Sequence, residues 1–252
     1  MNARPKVVET IEPQLKLGCA SCAAHDLTLC RAVSEMAWSL PRGESVEIQN
    51  SNQIVPARRI VFRDHDLHDA VPVICAGWAA SIVLLSDGSR QILSFLLPGD
   101  IVSTALLFDS RAHCLVEAIT EVRYRTFNRA ALKANLYKHP DLLEKFSRAW
   151  IEEKARADQL IVDLGRRTAE ERIARLILSL QDRLVRRGLV HADTEEMDFP
   201  LRQHHIADAT GLTPVHVSKV LSEFRRGGVI KISERSLTVL DPVRFRRVAN
   251  MR

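Results

Sequence analysis

The stretch that most constrains this chain is Gln203–Arg226, QHHIADATGLTPVHVSKVLSEFRR. Its apolar residues fall at helical spacing in two short runs. Ile206, Ala207 and Ala209 mark the first; Val217, Val220, Leu221 and Phe224 mark one face of the second. Gly211 falls at the corner between them, where glycine takes a positive φ without steric cost, and Leu212 would plug the core beneath. Thr213 has the chemistry of an N-cap, and Pro214 sits where a missing N–H does no harm. The spacing predicts a helix-turn-helix, whose second helix lies in the major groove with its N-terminal residues at base edges. An ordinary αα-hairpin is the competing reading. The residues expected to meet DNA are Gln203, Thr213, Val215, His216, Ser218, Lys219, Ser222 and Arg225.

Charge supports a polyanion partner. The 252 residues carry a net +5 with a pI near 9.1, enough chain for two modest domains. The acids are frequent in residues 1–110, whereas Arg166–Arg252 carries repeated arginine pairs. A basic C-terminal half suits nucleic acid. No run of about 18 apolar residues exists, so no membrane span is expected. The start, MNARPKVVET, lacks the apolar core of a secretion signal, so a cytoplasmic location is expected, where structural disulfides are rare. The histidines are scattered and no HExxH, GxSxG or phosphate-loop pattern occurs, so no enzyme activity is expected.

Taken in order, residues 1–33 form a cysteine-rich segment with Cys19, Cys22 and Cys30. Three thiols this close, among small and polar residues, suit one metal centre better than a core. Zinc and an iron–sulfur cluster both take four ligands, so a fourth must come from a distance, from Cys114 or Cys75. A short helix is expected over residues 31–42. Residues 34–138 then show short Val/Ile/Leu runs between turn signals, with Asp87-Gly88 as a hairpin and Pro98-Gly99-Asp100 as a further turn. This texture predicts an antiparallel barrel or jelly roll. Asn128 is a plausible N-cap for the helix that ends it.

Residues 139–165 read as one long helix opened by Pro140, with Leu143, Phe146, Trp150, Leu160, Ile161 and Leu164 as its apolar seam. A long helix joining two domains favours a dimer seam over packing within the chain. Residues 166–252 complete the chain. Thr168-Ala-Glu-Glu171 has the spacing of a capping box and starts an amphipathic helix with Ile173, Leu176, Ile177 and Leu180. Residues 189–200 read as a loop. VIKIS and SLTVLD read as a small hairpin, the wing of a winged helix, and residues 241–252 as a basic helical tail. The fold class is therefore α+β: an N-terminal antiparallel β jelly roll, a long dimerisation helix, and a C-terminal winged helix-turn-helix.

That order of parts resembles the CRP/FNR superfamily of bacterial transcription regulators over nearly the whole chain. The residues that carry the resemblance are FLLPGDIV after the SDGSRQI hairpin, TAEERIARLI, and IADATGLTPVHVSKVLSEFRRGGVI. It implies a homodimer on a two-fold symmetric site in double-stranded DNA, and contacts with RNA polymerase. The cyclic-nucleotide branch places a Gly-Glu pair after the Gly-Asp turn and an Arg-Ser pair some ten residues on. The matching positions here are Ser103-Thr104 and roughly Ala112-His113, with Arg111 adjacent. The phosphate's guanidinium partner is missing, so no cyclic nucleotide is expected.

The FNR branch instead has an N-terminal cysteine trio and a distal fourth cysteine, which hold an oxygen-labile [4Fe–4S] cluster. Cys19, Cys22 and Cys30 match the trio, with the spacing of alphaproteobacterial FNR-like proteins. The fourth position falls near Tyr124 or Arg125, where no cysteine stands; Cys114, on the preceding strand, is the preferred ligand and Cys75 the weaker one. The resemblance thus implies a DNA-binding activator that senses oxygen or redox state through the cluster, which controls dimerisation and promoter binding. The alternative is a regulator of the same type without a cluster, responding to thiol oxidation, nitric oxide, zinc or a small molecule. The recognition helix departs from the FNR pattern of Glu, two residues, then Ser-Arg: Val215, Ser218 and Lys219 stand there instead. Val215 could pack on a thymine methyl, and Lys219 can donate to guanine without arginine's fixed fork. His204 and His205 are expected as surface or phosphate contacts.

Overall fold

The computed structural model describes residues 53–63, 69–111, 114–190 and 196–250. The cysteine-rich segment, with Cys19, Cys22 and Cys30, and the helix expected over 31–42 lie outside the described residues.

The first domain carries strands β1 (Gln53–Val55), β2 (Ile60–Phe62), β3 (Ala70–Ala76), β4 (Ala79–Leu84), β5 (Arg90–Leu96), β6 (Leu115–Ala118) and β7 (Val122–Asn128). They form two antiparallel sheets, β1-β7-β3 and β2-β6-β4-β5. This is the expected jelly roll. The β4–β5 hairpin turns at Asp87-Gly88, where the Asp87 carboxylate accepts from the N–H and hydroxyl of Ser89. At the β3–β4 corner Gly77 has φ +83, and a Cβ there would stand 2.0 Å from the Glu121 carbonyl oxygen. Only glycine fits that approach.

Helix α1 (Arg129–Lys138) is capped by the side chain of Asn128, which accepts from the Ala131 N–H. Helix α2 (Pro140–Arg166) follows, with Pro140 in its first turn. Its N-terminal half lies on the jelly roll: Leu142 and Phe146 join Val71, Ile74, Val116 and Phe127 in the interior core. Each such fully buried side chain contributes about 1.5–3 kcal/mol. Phe146 is 4% exposed. It therefore cannot belong to a seam facing a partner, and that expectation is corrected. Leu160 and Leu164 are half-buried and also face the body of the chain. The residues α2 turns outward are Leu143, Trp150, Ile151, Ile161 and Val162. The helix has two apolar stripes, and sequence spacing merges them.

Helix α3 (Ala169–Arg186) opens with the expected capping box: the Thr168 hydroxyl accepts from the Glu171 N–H, and the Glu171 carboxylate accepts from the Thr168 N–H. Then come β8 (Glu196–Asp198), α4 (Gln203–Thr210), α5 (Pro214–Arg226), β9 (Ile230–Ser233), β10 (Ser236–Val239) and α6 (Pro242–Val248). The stretch expected as a loop contains β8, which pairs with β10 and makes the wing sheet three-stranded, β8-β10-β9. Met197 is the reason: it is buried between two exposed acids and anchors the strand.

The two domains share one hydrophobic cluster. Trp78, Ala80, Ile82, Ile92 and Phe95, on the outer face of β4 and β5, pack with Ile173, Ile177, Ile206 and Ala209. Polar contacts reinforce the docking. Arg183 of α3 and Arg187, the residue that caps its C-terminus, both bind the buried carboxylate of Asp100 in the Pro98-Gly99-Asp100 turn. Arg90 reaches Asp208 at 3.5 Å, and the Gln91 amide reaches the Ala209 carbonyl at 3.5 Å. Among the described residues, no helix is long and apolar enough to cross a membrane.

Candidate nucleic-acid interface

Helices α4 and α5 build the reading head. Helix α4 ends at Gly211, whose φ of +65 makes the corner, and a Cβ there would stand 3.2 Å from Leu164 Cδ2. The corner therefore lies against the end of α2 with no room to spare for a side chain. The Arg172 guanidinium donates to the Thr210 carbonyl and satisfies the end of α4 from below. Helix α5 starts at the Thr213 cap, whose hydroxyl accepts from the His216 N–H, with Pro214 in its first turn.

The stripe Val217, Val220, Leu221 and Phe224 is buried, as expected. Phe224 meets Phe245 of α6 edge-on, with centroids 5.4 Å apart. The opposite face is open. Thr213, Val215, His216, Lys219 and Arg225 are exposed; Ser218 and Ser222 are half-buried; Gln203 is exposed at the start of α4. Val215 is 81% exposed and presents its two methyl groups to solvent. The Ser222 hydroxyl accepts from Arg225, which braces that arginine along the helix. Exposed Arg226, Lys231 and Arg235 extend the cationic surface into the wing and were not singled out from the sequence, because isolated basic residues carry no periodic signal.

The histidine pair divides. His204 is exposed, but His205 is buried and its Nδ1 accepts from the Arg202 N–H at 3.1 Å. Burial first, then the neighbouring His204 and nearby arginines, push its pKa down to about 4. The expectation of a surface role is therefore corrected for His205: it is a neutral cap at the start of α4.

Of the cysteines in the described region, one lies in a strand and the other just before one. Cys114 is half-buried just before β6 and packs against the interior core. Cys75 lies in β3 at the bulge between Ile74 and Ala76, and its thiol points to its own strand's Val73 carbonyl at 3.7 Å. Both thiols are half-buried. Among the described residues, no three His, Cys, Asp or Glu side chains converge as a metal site. At the family's cyclic-nucleotide position, the N–H and hydroxyl of Thr104 both donate to Glu153 of α2, at 3.0 and 2.7 Å. Ser103 caps the 3-10 turn Thr104–Leu107 by accepting from the Ala105 N–H.

An exposed recognition helix on a winged domain, carried by a jelly roll and a long helix, defines a DNA-binding transcription regulator with a separate N-terminal domain. Comparison with known proteins agrees. Residues 171–248 match the Crp-like helix-turn-helix domain, and residues 53–139 match the cyclic nucleotide-binding domain. The chain is 31% identical to the transcriptional activatory protein AadR of Rhodopseudomonas palustris, over 90% of this chain and 91% of that one. It is 29% identical to the nitrogen fixation regulation protein FixK of Bradyrhizobium diazoefficiens, over 98% of this chain and 99% of that one. The solved structure of FixK2 from Bradyrhizobium japonicum superposes with a TM-score of 0.71 at 26% identity, covering 79% of this chain and 96% of that chain. The protein belongs to the CRP/FNR family of transcription regulators.

Proposed function

We propose that this regulator acts as a homodimer on a two-fold symmetric operator and that its affinity follows oxygen or redox state. The observation that carries the DNA half is the open face of α5, where Thr213, Val215, His216 and Lys219 stand exposed over a buried apolar stripe. Pairing of two α2 helices through Leu143, Trp150, Ile151, Ile161 and Val162 buries apolar surface that the single chain leaves in water. Two reading heads held about one DNA turn apart then meet successive major grooves. Contacts with RNA polymerase, in the cytoplasm, complete an activator.

The sensory half rests on the cysteines. Cys19, Cys22 and Cys30 supply three thiolates, and the half-buried Cys114 supplies the fourth. Four thiolates suit a [4Fe–4S] cluster, which when bound would cross-link the N-terminal segment to the jelly roll. Cys114 packs on the same core as Leu142 and Phe146, so a pull on it is felt at the start of α2. Cyclic nucleotide has no part in this reading, because the Glu153 carboxylate already takes both Thr104 donors.

The test is protein prepared without oxygen. It should contain about four irons per chain, with matching sulfide, and bind a two-fold symmetric site more tightly than the same protein after air. Iron-free protein, or equal affinity before and after air, rejects the oxygen switch and leaves DNA binding intact.

A further inference from the structure

A cavity of about 380 Å³ lies between α2, α3 and β5, outside the jelly-roll interior. Its apolar wall is Ile92, Phe95, Leu160, Leu176 and Leu180. Ile92 and Phe95 belong to the outer core shared with the winged domain, whereas Leu96 beside them faces the inner one. The cavity is thus distinct from the cyclic-nucleotide position at Ser103 and Thr104.

Its polar lining is rich in arginine, with Arg172, Arg175 and Arg186 beside the two that matter most. Arg156 of α2 and Arg183 of α3 both line it. The Nε–H groups of both are buried and find no hydrogen-bond partner among the described residues. A buried donor left unsatisfied carries the penalty of its desolvation and calls for an explanation. The two guanidinium groups also repel each other. Burial lowers the Arg183 pKa, Asp100 raises it, and Arg156 and Arg187 lower it again, to about 10.

The acids nearby do not resolve this. Asp100 is shared between Arg183 and Arg187. Asp163 is held by Arg175 at 2.7 Å and also accepts from Gln159. Asp182 faces Arg246 at 3.8 Å, and its carbonyl takes Arg186. The acid near Arg156 is Glu152, one helical turn back at 3.7 Å, too far for a hydrogen bond. Arg156 thus keeps only a long ion pair with Glu152, and five arginines stand against three carboxylates in the cavity lining.

We propose that this cavity binds a small amphipathic anion, its carboxylate or phosphate between Arg156 and Arg183 and its apolar part against Phe95 and Leu180. The volume lies in the ordinary range for small-molecule sites. The faces of α2 are used separately: Arg156 and Leu160 line the cavity, while Trp150 and Ile161 point away toward the proposed partner. The cavity therefore stays available when two α2 helices pair. A ligand there touches α2, α3 and β5 at once, and so ties the sensory domain to the base of the reading head.

The test uses the full-length chain and the fluorescent anion 8-anilinonaphthalene-1-sulfonate. The wild type should show one saturable site, from which octanoate displaces the probe and octanol does not. Arg156→Gln should weaken probe binding at least tenfold with an unchanged melting temperature. Ser179→Trp, on the exposed rim, should fill the cavity and weaken binding as much without removing a charge. Wild-type affinity in either variant overturns the site, and equal displacement by octanol overturns its anionic specificity.

Discussion

Asp100 and Arg183 form a 2.5 Å ion pair that is buried on both sides, although one belongs to the jelly roll and the other to the winged domain. Arg187 binds the other carboxylate oxygen at 2.5 Å, and the Leu97 N–H donates to the first. Arg183 also donates to the Phe95 carbonyl, and Arg187 to that of Pro98. The docking of the reading head thus converges on one carboxylate.

Removing that charge should undock the domains. Asp100→Asn keeps the shape but strands two buried guanidinium groups, at a cost of about 3–5 kcal/mol. Urea unfolding of the full chain measures it. Burial alone would raise the Asp100 pKa, but Arg183 and Arg187 more than offset that and hold it below the ordinary value. A depressed folded-state pKa gives stability that is full above the unfolded value of about 3.9 and is lost as pH falls through the folded one. Wild-type stability should therefore fall more steeply below about pH 4 than that of Asp100→Asn.

The recognition helix predicts its own base preference. A glutamate at position 215 would accept from a cytosine amino group, whereas Val215 offers only an apolar contact to a thymine methyl. Val215→Glu should shift the preferred base at one position of each half-site, by about 1–3 kcal/mol. Its stability should stay within about 0.5 kcal/mol of wild type, because the side chain is largely in solvent. Lys219→Ala should weaken the affinity for every site. Selection from a randomised operator, with competition binding, reads both; an unchanged preference in Val215→Glu would show that the residue does not face a base.

The outward stripe of α2 makes a separate prediction. Trp150→Glu and Ile161→Glu place charge on a face that is 62% and 69% exposed in the single chain. They should give folded monomers by sedimentation velocity, with DNA affinity reduced at least tenfold. Phe146→Ala should instead lower stability by about 3–5 kcal/mol, because it empties a place in the jelly-roll core.

Local signals in the sequence are enough for three caps and one corner, though not for the Asp241 cap of α6. Asn128, Thr168 and Thr213 cap the helices they precede, and Gly211 turns the corner, because each acts within four residues of itself. What was not legible depends on distance. Phe146 and Trp150 are both apolar at helical spacing, and only the jelly roll decides which turns inward. The Pro98-Gly99-Asp100 turn was visible, but not that Asp100 would meet arginines more than eighty residues later. His205 resembles its neighbour His204 in sequence, since nothing in the pair reveals which ring folds inward beside Arg90 and Arg58. Cys114 and Cys75 each lie near a strand, and the bulge that turns the Cys75 thiol to its own backbone follows from pairing with β7.

His205 gives the last prediction. Its ring is neutral in the fold because protonation would remove the acceptor for the Arg202 N–H and place charge beside His204 and Arg90. The folded-state pKa of about 4 lies below the unfolded value of about 6.5. Between those values the unfolded chain binds the extra proton, so stability rises with pH there. The winged domain should be fully stable above about pH 6.5 and lose stability progressively toward pH 4. His205→Asn can still accept the Arg202 N–H and cannot titrate. It should start lower, through lost packing, and show a flatter slope across that window. Thermal melts at half-unit intervals of pH decide it, and equal slopes in the two proteins would place the titrating group elsewhere.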